Sequence, residues 1–99
     1  MAILHIIAKN LGQDALHILV ERGNQSDAYI FIDDGVYVLL NPRFKAWNAS
    51  TKKEDRHVYV MAKHANERGI PQNNFSEVTL INMADMVCLT SSYSSSISW

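Results

Sequence analysis

Few residues in this 99-residue sequence could carry out chemistry: one cysteine, four histidines and one pair of adjacent aspartates. The aspartates, Asp33 and Asp34, end an apolar run, the place where open α/β sheets bind their ligands. Two neighbouring carboxylates could act as acid and base. Asp before Gly35 is also typical of a turn, and a carboxylate there could cap the next helix. We favour the turn and cap.

Cys88 is the only thiol in the sequence. It lies inside a predicted helix, next to Val87 and Leu89, with neither a helix N-terminus nor a basic sequence neighbour to stabilise a thiolate. We therefore interpret Cys88 as a packing or incidental cysteine and only a weak candidate for sulfur transfer. No other catalytic residue is predicted.

The histidines and glycines predict neither a metal nor a cofactor. His5, His17, His57 and His64 lack HxH or HExxH spacing, and a lone cysteine cannot complete a common zinc set. Neither GxGxxG nor GxxxxGK[ST] occurs among the scattered glycines. His5 and His57 lie in predicted strands and are interpreted as structural.

Length and charge limit the function classes. The chain is predicted to form one domain over residues 1–99. Its formal net charge of -1 gives no electrostatic basis for direct binding to nucleic acid. The first residues lack the features of a signal peptide, so none is expected; no apolar run reaches the length of a membrane span, and one cysteine excludes an internal disulfide. We expect a cytoplasmic protein without membrane contact.

Hydrophobic patterning predicts alternating strands and helices. Four continuous apolar runs are typical of strands buried on both faces, as in a parallel sheet. Helix signals separate or follow them, including Asn82 as a cap and Asp85 in the first turn. These elements predict a three-layer α/β/α sandwich with a mainly parallel sheet of four to five strands. The strand runs are 3–8, 28–32, 57–61 and 78–81; the clearest helix segments are 13–22, 62–68 and one that begins after Asn82.

Three segments allow further expectations. The stretch from Asp33 to Trp47 fits a β-hairpin or a strand feeding a helix, and we favour the helix because it preserves the alternation. Pro42 would break or restart that helix. Residues 48–55 are predicted to be a surface loop and 91–98 a loose, solvated segment. Trp99 is expected to be an anchor, because an aromatic side chain of this size is rarely left in water.

Several strings together resemble the DsrH/TusB family of sulfur-relay subunits: Leu4-His5, then Asp34-Gly35-Val36-Tyr37, then Leu80-Ile81, Asp85-Met86-Val87-Cys88-Leu89-Thr90 and Trp99. The resemblance covers nearly the whole chain. It implies the parallel DsrE/F/H-like fold, with helices on both faces of the sheet. The predicted first helix lacks the cysteine that is usual in the DsrH branch, so the resemblance favours the TusB branch. Ser92-Tyr93 replaces a basic pair that is frequent in the family.

The resemblance implies an accessory, non-catalytic subunit of a cytoplasmic complex that passes persulfide sulfur toward 2-thiouridine at the tRNA wobble position. The expected partners are TusC-like and TusD-like paralogues, with tRNA reached only indirectly and a homo-oligomer possible for the isolated chain. We expect the partner interface to include Trp99, Asp34, Gly35 and Tyr37. Two alternatives stay open: a stand-alone sulfurtransferase that uses Cys88, and a homo-oligomeric α/β binding protein.

Overall fold

The computed structural model describes residues 2–12, 27–50, 57–71 and 78–99. The predicted first helix, over residues 13–22, and the segment 51–56 lie outside them. In chain order the described elements are β1 (Leu4–Ile7), β2 (Ala28–Phe31), a 3₁₀ helix (Asp33–Leu40), α1 (Pro42–Ser50), β3 (Val58–Met61), α2 (Ala62–Glu67), β4 (Thr79–Ile81), α3 (Met83–Ser92) and β5 (Ser96–Ser98).

The strands form one five-stranded sheet in the order β4-β3-β2-β1-β5. Every pairing in it is parallel, with Leu4 opposite Ala28 between β1 and β2, and Leu4 opposite Ser96 between β1 and β5. The carboxyl ends of all five strands therefore meet at one edge of the sheet. This architecture confirms the predicted α/β class and parallel sheet.

Apolar clusters lie on both faces of the sheet. On one face the 3₁₀ helix, α1 and α2 cover a core that includes Ile7, Phe31 and Val60. On the other, α3 packs over a smaller core of Leu4, Ala28, Ile30 and Ile81. β2 is buried along its whole length because both faces and both neighbouring strands cover it.

The segment after β2 is helical, as predicted, but begins as a 3₁₀ helix. Gly35 in its first turn donates its N–H to the Ile32 carbonyl at 2.8 Å. A Cβ on Gly35 would overlap the carbonyl oxygen of Ile7. Glycine therefore allows the helix to begin directly against the end of β1. Pro42 then starts α1, whose Phe44 is buried in the core.

Two predicted helix ends are confirmed. Asn82 caps α3 by accepting from the Asp85 N–H at 2.8 Å, and Asp85 accepts from the Asn82 N–H at 3.1 Å, which completes a capping box. Gly69 follows α2 with φ of 70°, the left-handed conformation that glycine adopts without strain.

Two predictions about loop segments are wrong. Residues 91–98 are not a loose segment: Ser91 and Ser92 complete α3, and Ser96–Ser98 form β5. Asn48, assigned to a surface loop, is buried in α1, which continues to Ser50. On α3 the side chains of Met83, Val87 and Thr90 face outward. The side chains that pack against the sheet are Met86, Leu89 and Tyr93.

Candidate functional site

Two groups of polar side chains lie on the face covered by the 3₁₀ helix, each built around a histidine and an aspartate. We call the exposed group, Asp33, Asp34, His64 and Arg68, the carboxyl-end cluster. We call the buried group, His5, Asp27, Tyr29 and Trp99, the His5 network. Cys88 belongs to neither group.

The carboxyl-end cluster joins the ends of β2 and β3. Asp33 has φ of 47°, a left-handed conformation that aspartate tolerates better than most residues, which fits the predicted turn. Its N–H donates to His64 Nδ1 at 2.8 Å, and its Oδ1 lies 3.6 Å from the same nitrogen. The cap of the 3₁₀ helix carries no side-chain hydrogen bond, so the expected capping role of the aspartates is wrong.

Asp34 pairs with the last turn of α2. Its Oδ1 accepts from Arg68 Nε at 3.0 Å, and Arg68 Nη1 also donates to the His64 carbonyl at 3.3 Å. Because both carboxylates are mostly exposed, these contacts contribute little to stability. They brace the 3₁₀ helix against α2, with each carboxylate beside a different basic side chain.

The His5 network is built across three strands. His5 Nε2 lies 2.9 Å from Asp27 Oδ2, and Asp27 Oδ1 accepts from the Ile3 N–H at 2.9 Å. The Trp99 indole N–H donates to His5 Nδ1 at 3.2 Å. The imidazole stacks on Tyr29, with ring centroids 5.0 Å apart and an angle of 11° between the planes. Parallel pairing of β1 with β2 and β5 brings these groups together.

Tyr29 has a raised pKa because its phenol is buried. Loss of solvent, followed by the nearby Asp27 carboxylate, raises the pKa of Tyr29 to about 12. The phenol therefore stays neutral at physiological pH. Tyr29 also meets Trp47 edge to face at 6.3 Å, so aromatic rings continue the network into α1.

Cys88 is exposed, so a packing role is wrong, whereas the interpretation as an incidental cysteine stays a prediction. α3 turns Met86 and Leu89 toward the sheet and Cys88 away from it. With the described residues the thiol forms no hydrogen bond or ion pair; only the Cys88 carbonyl is engaged, by the Ser92 hydroxyl at 3.0 Å. The sheet separates Cys88 from both histidine groups.

A small cleft lies at the carboxyl end of β1, lined by Ile7, Lys9, Asn10, Phe31 and Gly35, among others. Its volume of about 10 Å³ holds no more than about one water molecule. Across the described ranges, no group of three or more His, Cys, Asp or Glu side chains could hold a metal ion. Nor does any helix there have the length and apolar character to cross a membrane.

The four predicted interface residues occupy different environments. Trp99 and Tyr37 are half-buried against the core of their own chain. Gly35 is buried and Asp34 is exposed. Trp99 thus has an anchor site within the chain, and contact of these residues with a partner stays a prediction. The sequence missed Asp27, whose only signal was its position directly before a strand.

A five-stranded parallel sheet with helices packed on both faces defines a small α/β protein. The sequence model of the family described as "DsrH like protein" matches residues 11–96. This chain belongs to the DsrH-like family, a family of sulfur-relay subunits.

The fold is similar to the solution NMR structure of protein Tm0979 from Thermotoga maritima. The two chains share 20% sequence identity, the alignment covers 93% of each, and the TM-score is 0.62. At this identity the similarity shows the fold alone. No curated protein matches the chain.

Proposed function

We propose that this chain is an accessory subunit of a sulfur-relay complex that passes persulfide sulfur toward 2-thiouridine at the tRNA wobble position. Family membership supports a relay subunit. The observation that supports the accessory role is the separation of Cys88 from the two histidine groups of the described residues. A relay thiol needs a stabilised thiolate or an adjacent base, and the sheet keeps His5, His64 and Arg68 away from Cys88.

We propose TusC-like and TusD-like paralogues as the partners. The exposed apolar side chains of Met83 and Val87, 59% and 58% exposed, lie one turn apart on α3, and Leu80 is exposed on the edge strand β4. Neighbouring apolar side chains of this size on a small domain are typical of an interaction surface. The chain would complete the assembly, while a partner's cysteine carries the sulfur and tRNA is contacted only indirectly.

The test is a cell in which this chain is deleted and then replaced by wild type or by Cys88→Ser. We expect deletion to abolish 2-thiouridine, and Cys88→Ser to restore it to within about twofold of wild type. Thiolated nucleosides are measured by mass spectrometry of tRNA hydrolysates. Co-purification of the paralogues with each variant shows whether the complex assembles.

One observation favours the alternative of a sulfurtransferase: Cys88 is exposed and therefore accessible to a donor. Loss of 2-thiouridine in the Cys88→Ser strain, with the complex intact, would establish that function instead. Persulfide on Cys88 after incubation with a persulfide donor, detected by mass spectrometry, would lead to the same conclusion. Normal 2-thiouridine in the deletion strain would reject both roles.

A further inference from the structure

Strand β5 lies at one edge of the described sheet, beside β1. The backbone bonds to β1 show which of its groups face inward. The Ser95 carbonyl accepts from the Leu4 N–H at 3.1 Å, and the Trp99 N–H donates to the Ile6 carbonyl at 2.8 Å. Because backbone groups alternate in direction along a strand, Ile97, midway between Ser95 and Trp99, faces β1 as well.

The two serines of β5 therefore direct their backbone groups away from the sheet. Ser96 and Ser98 each present one N–H and one carbonyl at an outer edge with which no strand of the described residues pairs. Natural edge strands are usually protected from pairing by a charged side chain, a proline or a bulge. β5 contains neither a charged residue nor a proline, and Asp85 is the only charged side chain after residue 77.

We propose that β5 pairs in antiparallel direction with β5 of a second copy of this chain, which joins the two five-stranded sheets into one. One register uses all of the outward backbone groups: Ser96 of each copy lies opposite Ser98 of the other, and each such pair exchanges both N–H to carbonyl bonds. Ile97 then faces its own counterpart across the two-fold axis. That position is a non-hydrogen-bonded pair, where opposite side chains come closest.

The side chains of β5 favour a second copy as the occupant. A two-fold contact places residues near the axis beside their own counterparts, so a charged residue there would meet a like charge. β5 brings no charge to the axis. It brings Ile97, which is 43% exposed in the single chain, and an apolar β-branched residue forms a favourable cross-strand pair with another. The strand is thus complementary to itself in both its backbone and its side chains.

The contact is small, which sets its strength. Three residues from each copy bury much less than the roughly 800 Å² per partner of a stable interface, so we expect a dissociation constant on the order of 100 µM. A contact of this strength is occupied when two copies are already held near each other in one assembly. It uses neither Met83 nor Val87, the side chains proposed to contact the paralogues, and it does not depend on the relay function.

The test uses the full chain, labelled with ¹⁵N, between about 20 µM and about 1 mM, a range that spans the expected constant. Sedimentation equilibrium should show mostly monomer at the low end and mostly dimer at the high end. Hydrogen exchange at the Ser96 and Ser98 amides, which point outward, should slow by about fourfold over this range, in proportion to the remaining monomer. The Ile97 amide already faces β1 and should change much less.

Two variants locate the contact. Ile97→Lys places two like charges at the axis and should raise the dissociation constant by at least about tenfold. Leu80→Lys is the matched control on the opposite edge strand, with a side chain 42% exposed, and should leave the constant unchanged. Should Ile97→Lys not fold, Ser98→Pro removes one outward N–H and keeps those that face β1, and it should weaken the dimer in the same way.

Four results would each overturn the inference. The first is a monomer throughout the concentration range. The second is a dimer in which exchange at the Ser96 and Ser98 amides does not depend on concentration. The third is a dimer that Leu80→Lys dissociates and Ile97→Lys does not, which would assign the contact to β4. The fourth is a dimer that neither β5 variant weakens.

Discussion

The molecule contains two histidine–aspartate pairs on one face of its sheet, and they differ in burial. The Asp27 side chain is 3% exposed and bonds to both His5 and the Ile3 backbone. The Asp33 side chain is 56% exposed and lies 3.6 Å from His64. When one partner of a buried pair is removed, the other loses its hydrogen bond and no water can replace it. At an exposed pair, water forms the lost hydrogen bond instead. The same residue types should therefore have different energetic roles at the two places.

The sequence analysis gave Asp33 and Asp34 more weight as a candidate site than His5, and the burial of the two pairs reverses that order. Asp33 and Asp34 looked most like a functional site, and the structure shows them bracing one helix against another. His5 was interpreted as an ordinary structural histidine, and it connects three strands through Asp27 and Trp99. Adjacency in sequence is thus a weaker sign of a connected site than burial across strands.

The largest expected effect concerns the close approach of the 3₁₀ helix, which carries Asp33 and Asp34, to the end of β1. Gly35→Ala should destabilise the chain by more than about 3 kcal/mol, because the new Cβ overlaps the backbone of Ile7, which cannot move without displacing β1. The free energy of unfolding is measured by urea denaturation. Gly12→Ala is the matched control, since no atom of the described residues lies within 4 Å of the added methyl, and it should stay within about 0.5 kcal/mol of wild type. Equal effects would show that Gly35 is not required for the close approach.

Asp27→Ala should lower the free energy of unfolding by about 3 kcal/mol. It leaves the Ile3 N–H and the His5 Nε2 proton without their acceptor at a buried position. Urea denaturation at pH 7 measures the loss, with Asp27→Asn as a control that keeps the shape and part of the hydrogen bonding and should lose less. A cost below about 1 kcal/mol for Asp27→Ala would remove the energetic distinction between the two pairs.

The sequence predicted those strands and helix ends whose signals lie within a few consecutive residues. The continuous apolar runs marked β1 to β4, and Asn82 with Asp85 marked the start of α3, because strand burial and helix capping are encoded within a few residues. β5 was missed because serines have no strand signal of their own. It forms where β1 offers an open edge and Trp99 finds a site beside His5.

The His5 network could not be predicted from spacing. His5 and Asp27 are 22 residues apart, and they meet because the register places Leu4 opposite Ala28. Trp99 is 94 residues from His5 and reaches it through β5. Strand register depends on the whole sheet, so the sequence indicated an anchored Trp99 without showing its partner.

Alkaline pH probes the buried region through a different group. Because burial and Asp27 favour the neutral phenol of Tyr29 in the folded chain, its pKa is raised from 10.0 to about 12. Unfolding then releases a proton between these values, so stability is full below pH 10 and falls by about 2 kcal/mol as the pH rises to 12. Tyr29→Phe should remove most of this decline in urea denaturation at pH 9 to 12. Burial, followed by Tyr59 and Asp27, also raises the pKa of Tyr93, so Tyr93→Phe should remove a smaller part. A decline unchanged by Tyr29→Phe would assign it to other groups.

The smallest expected effect belongs to the exposed region. Asp34→Ala removes the acceptor of the Arg68 guanidinium, but the Asp34 side chain is 64% exposed, so water replaces the lost bond. The free energy of unfolding should change by less than about 0.5 kcal/mol, and raising the salt concentration in wild type should have a comparably small effect because the pair is already screened. Arg68→Ala is the matched change on the other partner, with an added loss of packing from its aliphatic stem. A cost for Asp34→Ala near that of Asp27→Ala would mean that the carboxyl-end cluster is energetically equivalent to the buried network, and burial would no longer explain the difference between the two pairs.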